Sequence, residues 1–217
     1  MTETERYIEY ENETEWLSGR KDHIGASEMG VICGVSHFKS IQDLWREKTG
    51  RKAQDDLSEN ALVKYGKRAE EHLRALFQLK HDGEYEIEYH QFRVYRHKKH
   101  GWLTCTLDGE IKRLSDGKKG VLEVKTKLVM SAADAREWEN GIPQGYYCQV
   151  CEQLAVMEYD FAIVLSELRR SDGSAEIKEY LIEKEDIRED IDWVVEKAVW
   201  FHGYIERDKE PPIQITL

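Results

Sequence analysis

The stretch from Thr106 to Thr126, TLDGEIKRLSDGKKGVLEVKT, decides the fold. Apolar and polar residues alternate on both sides of the turn-forming segment 115–120, SDGKKG, which predicts two neighbouring strands joined by a turn. Glu123 and Lys125 lie two positions apart on the second strand, so their side chains point to the same face. Because the turn brings the strand ends together, we expect Asp108 to lie beside both.

Two carboxylates beside a lysine suit the hydrolysis of a phosphodiester. Mg²⁺ prefers oxygen ligands and keeps several of its waters, so a few carboxylates suffice to bind it. Such an ion lowers the pKa of a bound water, and a neighbouring lysine orients that water or stabilises the developing charge. The alternative is structural: Asp108 is a turn residue, and Glu123 and Lys125 lie on a solvated strand face. Spacing alone leaves both interpretations open.

Glu70 lies in the strongly helical segment 58–79. Leu73 and Phe77 follow Glu70 by three and seven positions, so this carboxylate lies beside the apolar stripe of the helix. The stripe is predicted to consist of Leu62, Ala69, Leu73, Leu76 and Phe77. Burying a carboxylate costs free energy unless something compensates the charge. A metal ion shared with the two carboxylates described above, or a salt bridge at the edge of the stripe, provides that compensation.

Three more polar residues are candidates for a site. Gln149 shares a helical face with apolar residues, so its amide either satisfies backbone groups or reaches into a site. Arg20 and Ser27 flank the glycine-containing segment GRKDHIGAS at a predicted helix start. A guanidinium and a hydroxyl in that position suit a terminal phosphate. For each residue, a purely structural role is the alternative.

Composition narrows the class of protein. The 217 residues suit one domain, and a 40% apolar content supports a folded core. No apolar run approaches the ~20 residues that a membrane span needs, and the acidic N-terminus lacks the apolar segment of a secretory signal. We therefore expect a single domain over residues 1–217, a cytoplasmic location and no membrane partner. The net charge of −11 argues against a protein that coats nucleic acid, but not against a metal-dependent enzyme.

The cysteines Cys33, Cys105, Cys148 and Cys151 are expected to be reduced thiols in that compartment. Cys148 and Cys151 form a CxxC motif, but neither a second CxxC nor a histidine pair accompanies it to complete a zinc site. An iron–sulfur cluster held by all four cysteines is the alternative hypothesis.

The order of predicted elements indicates the fold class. Predicted helices lie at the N-terminus to about residue 17 and at 40–50, 58–79, 143–158 and 185–208; predicted strand regions lie at 84–96, 100–114, 121–127, 161–168 and 175–183. This order is typical of a mixed α/β or α+β domain with a central sheet flanked by helices.

Motifs spread over most of the chain, roughly from Trp16 to Ser166, resemble a known family. They are W…R…IGAS (Trp16, Arg20, Ile24–Ser27), LWREKTG (Leu44–Gly50), G…E (Gly66, Glu70), LDGEI (Leu107–Ile111), LEVKT (Leu122–Thr126) and IPQGYYCQV (Ile142–Val150). In this order they resemble the YqaJ-type viral recombinase nucleases, the family that includes the exonuclease of phage lambda. Thr106-Leu107-Asp108 stands where that family has Pro-Asp or Ser-Pro-Asp.

The resemblance implies a restriction-endonuclease-like core of the PD-(D/E)XK type. It implies digestion of double-stranded DNA from 5′ ends with Mg²⁺, for which Mn²⁺ is able to substitute. By the same resemblance the residue roles are as follows: metal ligands Glu70, Asp108, Glu123 and the carbonyl of Val124; catalytic residues Asp108, Glu123, Lys125 and Gln149; and 5′-phosphate contacts Arg20 and Ser27.

Members of this family form ring-shaped trimers and act beside a single-strand-annealing protein. The resemblance therefore implies double-stranded DNA ends, a homo-oligomer and an annealing protein as partners. Two competing hypotheses remain. One is an endonuclease with the same core, and the other is a non-catalytic scaffold that binds DNA ends during recombination.

Overall fold

The computed structural model describes residues 6–36 and 38–213. Within them, strands form two mixed sheets flanked by helices. The strands are β1 (Tyr7–Glu9), β2 (Ile24–Gly25), β3 (Tyr85–Glu88), β4 (Arg93–Arg96), β5 (Leu103–Cys105), β6 (Gly109–Arg113), β7 (Lys119–Val129), β8 (Phe161–Arg170) and β9 (Ala175–Glu183). The helices are α1 (Glu13–Gly19), α2 (Met29–Ile32), α3 (Ile41–Lys48), α4 (Ala61–Lys80), α5 (Ala132–Arg136), α6 (Gln144–Met157) and α7 (Arg188–Glu206), with 3₁₀ turns at Ala26–Glu28 and Lys184–Ile187.

The central sheet has the strand order β3-β6-β7-β8-β9. Strand β7 runs parallel to β8 and antiparallel to β6, while the outer pairs are also antiparallel. Strand β8 is apolar and buried along most of its length, as its continuous apolar run predicts. The central mixed sheet that the sequence predicts is therefore present, and β7 at its centre carries the charged pair Glu123 and Lys125.

Helices cover both faces of this sheet. On one face, Leu122 and Val124 of β7 pack with Leu73 and Phe77 of α4 in one apolar core. On the other face, Val121 belongs to a second core that includes residues of α6 and α7. Because side chains alternate along a strand, Glu123 points to the α6 side, between two buried apolar neighbours.

A second sheet, with the order β1-β4-β5-β2, was not predicted. The predicted N-terminal helix is wrong over Tyr7–Glu9, which forms a strand paired with β4; helix α1 begins only at Glu13. Tyr7 lies opposite Tyr95, with ring centroids 6.3 Å apart. This pairing joins positions far apart in the chain, so the local pattern contains no sign of it. Residues 1–5 of the same prediction lie outside the described residues.

Two predicted strand regions each divide between the sheets. Region 84–96 forms β3 in the central sheet and β4 in the smaller one, and region 100–114 forms β5 in the smaller sheet and β6 in the central one. The chain therefore crosses between sheets immediately before Asp108, which places this residue where the two sheets meet.

Helix α4 begins close to its predicted start, with the side chain of Asn60 accepting hydrogen bonds from the backbone N–H groups of Leu62 and Val63. The predicted apolar stripe is wrong at two positions, because Leu62 and Leu76 are exposed. The buried face consists of Ala69, Leu73 and Phe77. No helix within residues 6–36 and 38–213 combines the length and apolar character that a bilayer span requires.

Gly120 on β7 leaves room for the ring of Phe161 on β8, which leads to a prediction about stability. A Cβ at this position would lie 2.5 Å from the ring of Phe161, which is fully buried. We expect Gly120→Ala to lower the free energy of unfolding by about 1–3 kcal/mol, the usual cost of overpacking a core. Gly141→Ala is the matched control, since a Cβ there meets nothing within 4 Å. Equal urea midpoints for the two variants would contradict the packing seen here.

Candidate active site

Asp108 is joined directly to the central strand. The antiparallel register pairs Gly109 with Leu122, so Asp108 lies beside Glu123 and Val124. Its Oδ2 atom accepts a hydrogen bond of 2.7 Å from the backbone N–H of Val124. The structure therefore brings Asp108 to the middle of β7, beside Glu123 and Lys125, as the turn between the two strands predicts.

Glu123, Lys125 and Gln149 form a closed hydrogen-bonded group. The Nζ atom of Lys125 lies 2.6 Å from Oε1 of Glu123 and donates to Oε1 of Gln149 at 3.1 Å. The Nε2 atom of Gln149 donates to Oε1 of Glu123 at 2.6 Å. Glu123 is 3% exposed and Gln149 is 8% exposed, so each side chain is held in one orientation by its partners.

Gln153 completes this group and was missed in the sequence. Its Nε2 atom donates to Oε2 of Glu123 at 2.6 Å, and the side chain is fully buried. Gln153 follows Gln149 by four positions on α6, so both amides face β7. That spacing is the signal that identifies it: a second glutamine one helical turn after the first.

Arg74 is a second residue that sequence reasoning missed. Its Nη1 atom donates to the backbone carbonyl of Asp108 at 2.6 Å, and its guanidinium lies over the ring of Tyr89 with 3.8 Å to the centroid. Arg74 follows Glu70 by four positions on α4, so both side chains lie on the same side of the helix. The arginine ties the segment before β6 to α4.

Glu70 reaches the same region from α4. The helix passes close to β7 at Gly66, where a Cβ would lie 3.3 Å from Oγ1 of Thr126. Burial, and then the neighbouring carboxylate of Glu123, raises the pKa of Glu70 above its ordinary value. The same two causes, in the same order, raise the pKa of Asp108 well above its ordinary range. The three carboxylates therefore share one electrostatic environment.

Lys125 is the only cation in the described part of the chain within ion-pair distance of these three carboxylates. Burial acts to lower the pKa of Lys125, but the carboxylates of Glu123 and Asp108 outweigh it and raise that pKa. Three carboxylates against one bound ammonium leave negative charge that is not offset by an ion pair.

The donor chemistry of this region fits a hard divalent cation, since carboxylate and carbonyl oxygens are the ligands such ions take. An added positive charge would also relieve the repulsion that raises the pKa values of Glu70 and Asp108. Among residues 6–36 and 38–213, however, no three His, Cys, Asp or Glu side chains are already gathered as a metal site. Both oxygens of Glu123 accept hydrogen bonds from glutamines instead.

The four cysteines are free thiols. They make no such ligand group in the residues that the structure describes, so the iron–sulfur hypothesis gains no support.

Arg20 and Ser27 line a small cavity next to this group, which we call the phosphate pocket after the two phosphate contacts expected from the sequence. It has a volume of about 30 Å³ and is also lined by Thr106 and Gln149. Strand β2 pairs in parallel with β5, so the segment that carries Arg20 and Ser27 is held against the chain leading to Asp108. The structure thus places the two predicted phosphate contacts and the predicted catalytic glutamine around one space.

The guanidinium of Arg20 is available to a ligand. It lies over the ring of Trp16, with 4.6 Å to the centroid, and burial lowers its pKa. In the described residues no acceptor lies within hydrogen-bond distance of its side-chain nitrogens, although Glu28 contributes an opposite charge nearby. A half-buried arginine that lines a cavity and directs its donors toward it is suited to an anion.

Gln153 offers a test of this geometry. We expect Gln153→Leu to lower the free energy of unfolding by about 1–3 kcal/mol, because Oε2 of Glu123 then loses its donor inside the protein. Gln144→Leu, at the exposed start of the same helix, is the matched control and should leave the urea midpoint nearly unchanged. A normal midpoint for Gln153→Leu would show that the bond to Glu123 contributes nothing to stability.

Comparison with known proteins shows a family match and a curated relative for this chain. Residues 15–160 match the family described as the YqaJ-like viral recombinase domain. The uncharacterized protein YqaJ of Bacillus subtilis (strain 168) is 28% identical over 144 residues, which are 66% of this chain and 42% of that protein. The matched region thus spans less than half the length of this curated relative.

Solved structures share the fold. The alkaline exonuclease LHK-Exo of Laribacter hongkongensis superposes with a TM-score of 0.61 and 17% identity, over 89% of this chain and 95% of its own. A phage-related exonuclease from Haemophilus somnus 129PT gives a TM-score of 0.53 and 14% identity, over 86% and 96%. At these identities the likeness concerns the fold, and it confirms the predicted mixed fold of a central sheet flanked by helices.

Proposed function

The chain belongs to the YqaJ-like viral recombinase family, as its motifs predict, and from that premise we propose that it is a deoxyribonuclease. It digests double-stranded DNA from 5′ ends and leaves 3′ single strands for recombination by strand annealing. We propose Mg²⁺ as its cofactor, with Mn²⁺ able to substitute. Residues 1–217 act as one nuclease domain, and the names of the two structural neighbours, both exonucleases, support this class of activity.

One observation carries the proposal: Glu70, Asp108, Glu123, Lys125 and Gln149 converge on the middle of β7. The five residues come from α4, from the residue just before β6, from β7 itself and from α6. A solvated strand face, the structural alternative, would leave Glu123 exposed, whereas its side chain is buried and fully engaged in hydrogen bonds. Gathering several charged side chains around one buried carboxylate is costly, and it is typical of catalytic sites.

The cation would be held by the carboxylates of Glu70, Asp108 and Glu123 and by the carbonyl of Val124. When bound, it lowers the pKa of the attacking water and offsets the charge of the scissile phosphate. Hydrogen bonds from Gln149 and Gln153 keep the Glu123 carboxylate in one orientation.

Lys125 orients the attacking water. Glu123 and Gln149 fix its ammonium at one position, where it donates a hydrogen bond to the attacking oxygen and stabilises the charge that develops on the phosphate. Because the pKa of Lys125 is raised, its side chain keeps its positive charge. It therefore acts as an electrostatic and orienting group at neutral pH.

Arg20 and Ser27 would bind the terminal 5′-phosphate in the phosphate pocket. The guanidinium offers paired donors, and the hydroxyl of Ser27 adds a third contact. Gln149 lines this pocket and also binds Glu123, so the terminal phosphate and the scissile bond are tied to the same helix. We propose that this arrangement sets the distance from the 5′ end at which the strand is cut.

A closed circular duplex separates the proposed exonuclease from an endonuclease with the same core. We expect the protein to leave the circle intact with Mg²⁺ while it digests the same DNA after linearisation. A cut circle would establish the endonuclease. Normal binding to DNA ends without any cleavage, in Mg²⁺ and in Mn²⁺, would favour the non-catalytic scaffold.

By family resemblance we also propose that the protein forms a trimer and acts beside an annealing protein. Size-exclusion chromatography tests the trimer, and co-purification tests the annealing protein.

A further inference from the structure

A second, larger cavity adjoins the phosphate pocket. Its volume is about 200 Å³, against about 30 Å³ for the pocket. The two cavities share three lining residues, Arg20, Gly25 and Thr104. The guanidinium of Arg20 therefore stands between them, with donors available to both sides.

The walls of the larger cavity carry more positive than negative charge. Arg20, Lys21 and Lys48 line it, and Glu28 is the one acidic residue among its lining residues. Lys48 is 5% exposed in its side chain, and its Nζ atom lies 2.8 Å from Oε1 of Glu28. Because Glu28 balances Lys48, the charges of Arg20 and Lys21 remain in excess. In a chain of net charge −11, such a locally positive cavity points to an anionic ligand.

Hydrogen bonds hold several of the residues that line this cavity in place. The other carboxylate oxygen of Glu28 accepts a hydrogen bond of 2.9 Å from the backbone N–H of Gly25, and Lys48 donates to the carbonyl of His23. A Cβ at Gly25 would lie 3.7 Å from a nitrogen of Arg20, so the backbone at Gly25 runs directly beside the guanidinium. Three segments of the chain, at 20–28, at 48 and at 104, thus enclose a preformed space.

We propose that the larger cavity binds additional phosphate groups on the 5′ end of a strand, so that the protein recognises a 5′-triphosphate end more tightly than a 5′-monophosphate end. The first phosphate occupies the phosphate pocket, and Arg20 bridges it to the next one. The inference rests on the proposed function for the position of the first phosphate. Among the residues that the structure describes, no aromatic ring lines the larger cavity, and this lack of a stacking surface argues against a nucleobase as its occupant.

Lys21 and Ser27 allow the two cavities to be tested separately. Lys21 lines only the larger cavity, whereas Ser27 lines only the phosphate pocket. The test measures the Kd of one labelled duplex with a 5′-hydroxyl, a 5′-monophosphate or a 5′-triphosphate end, by fluorescence anisotropy in EDTA to prevent hydrolysis. We expect the triphosphate end to bind about tenfold more tightly than the monophosphate end, which is the scale of one charge-assisted contact.

The two variants are expected to change different quantities. Lys21→Ala should reduce that tenfold preference to about twofold and leave the Kd of the monophosphate end unchanged. Ser27→Ala should weaken both phosphorylated ends alike. Lys99→Ala, which removes an exposed lysine from the turn before β5, is the matched control for net charge and should change neither Kd.

Equal affinity for monophosphate and triphosphate ends would overturn the inference, and so would a Lys21→Ala variant that weakens both ends equally. Displacement of the triphosphate duplex by free dATP would assign the second-phosphate site to nucleotides in solution as well as to strand ends. Failure of dATP to compete would restrict it to strand ends. Absence of DNA digestion in a separate Mg²⁺ assay would overturn the proposed function alone, because the binding comparison needs no cleavage.

Discussion

Lys125→Ala is expected to lower the rate of DNA digestion by about 10²–10⁴-fold, the range for loss of one oriented donor or proton-transfer group at a reacting centre. The variant loses the ammonium that lies 2.6 Å from Glu123 and 3.1 Å from Gln149. The measurement is the initial rate of digestion of a linear duplex with a 5′-phosphate and saturating Mg²⁺.

The fold should survive this change. Glu123 keeps the hydrogen bonds from Gln149 and Gln153, so its carboxylate remains partnered inside the protein. Circular dichroism and the urea midpoint check this point. Lys112→Ala is the matched control, since Lys112 lies on the neighbouring strand β6, pairs with Glu86 at 3.1 Å and is half exposed. Normal turnover by Lys125→Ala would remove the lysine from the mechanism.

Arg20→Ala has the second largest expected effect. We expect the preference for a 5′-phosphate over a 5′-hydroxyl end, measured as a ratio of kcat/KM values, to fall by about 10–100-fold, because hydrogen bonds to charged groups contribute about 1.5–3 kcal/mol. Arg20→Lys should keep part of the preference, since an ammonium preserves the charge but not the paired donors.

Arg51→Ala is the matched control for the Arg20 variant. Arg51 also lies over an indole ring, that of Trp45, at 4.6 Å from the centroid, but it pairs with Asp208 and lies outside the phosphate pocket. Removing it should leave the ratio unchanged. If Arg20→Ala retained the full preference for phosphorylated ends, the terminal phosphate would have to bind outside the phosphate pocket.

The sequence predicts the centre of the site because its key contacts are local. Asp108 and Glu123 meet across one turn, and Glu123 and Lys125 share a strand face, so alternation and a turn signal suffice to bring them together. Helical spacing could also have identified Arg74 and Gln153, since each follows a predicted site residue by four positions. They were missed because a polar residue at helical spacing does not by itself indicate what it contacts.

The rest of the fold depends on contacts that the local pattern does not contain. Strand β1 joins the smaller sheet because Tyr7–Glu9 pairs with Arg93–Tyr95, a long-range match that propensity does not report. Leu62 and Leu76 fit the helical period of α4 but are exposed, since the sheet covers only the narrower face around Leu73. The partners of the buried Glu123 carboxylate, Lys125, Gln149 and Gln153, likewise come together only in the folded chain.

End-specific digestion tests the central claim most directly. The substrate is a linear duplex with 5′-phosphates and a label at either the 5′ or the 3′ terminus of one strand, incubated with Mg²⁺, with Mn²⁺ or with EDTA. The account predicts early release of the 5′ label as a mononucleotide, retention of the 3′ label until late in the reaction, and no release in EDTA. Early release of the 3′ label, or digestion that EDTA does not stop, would contradict it.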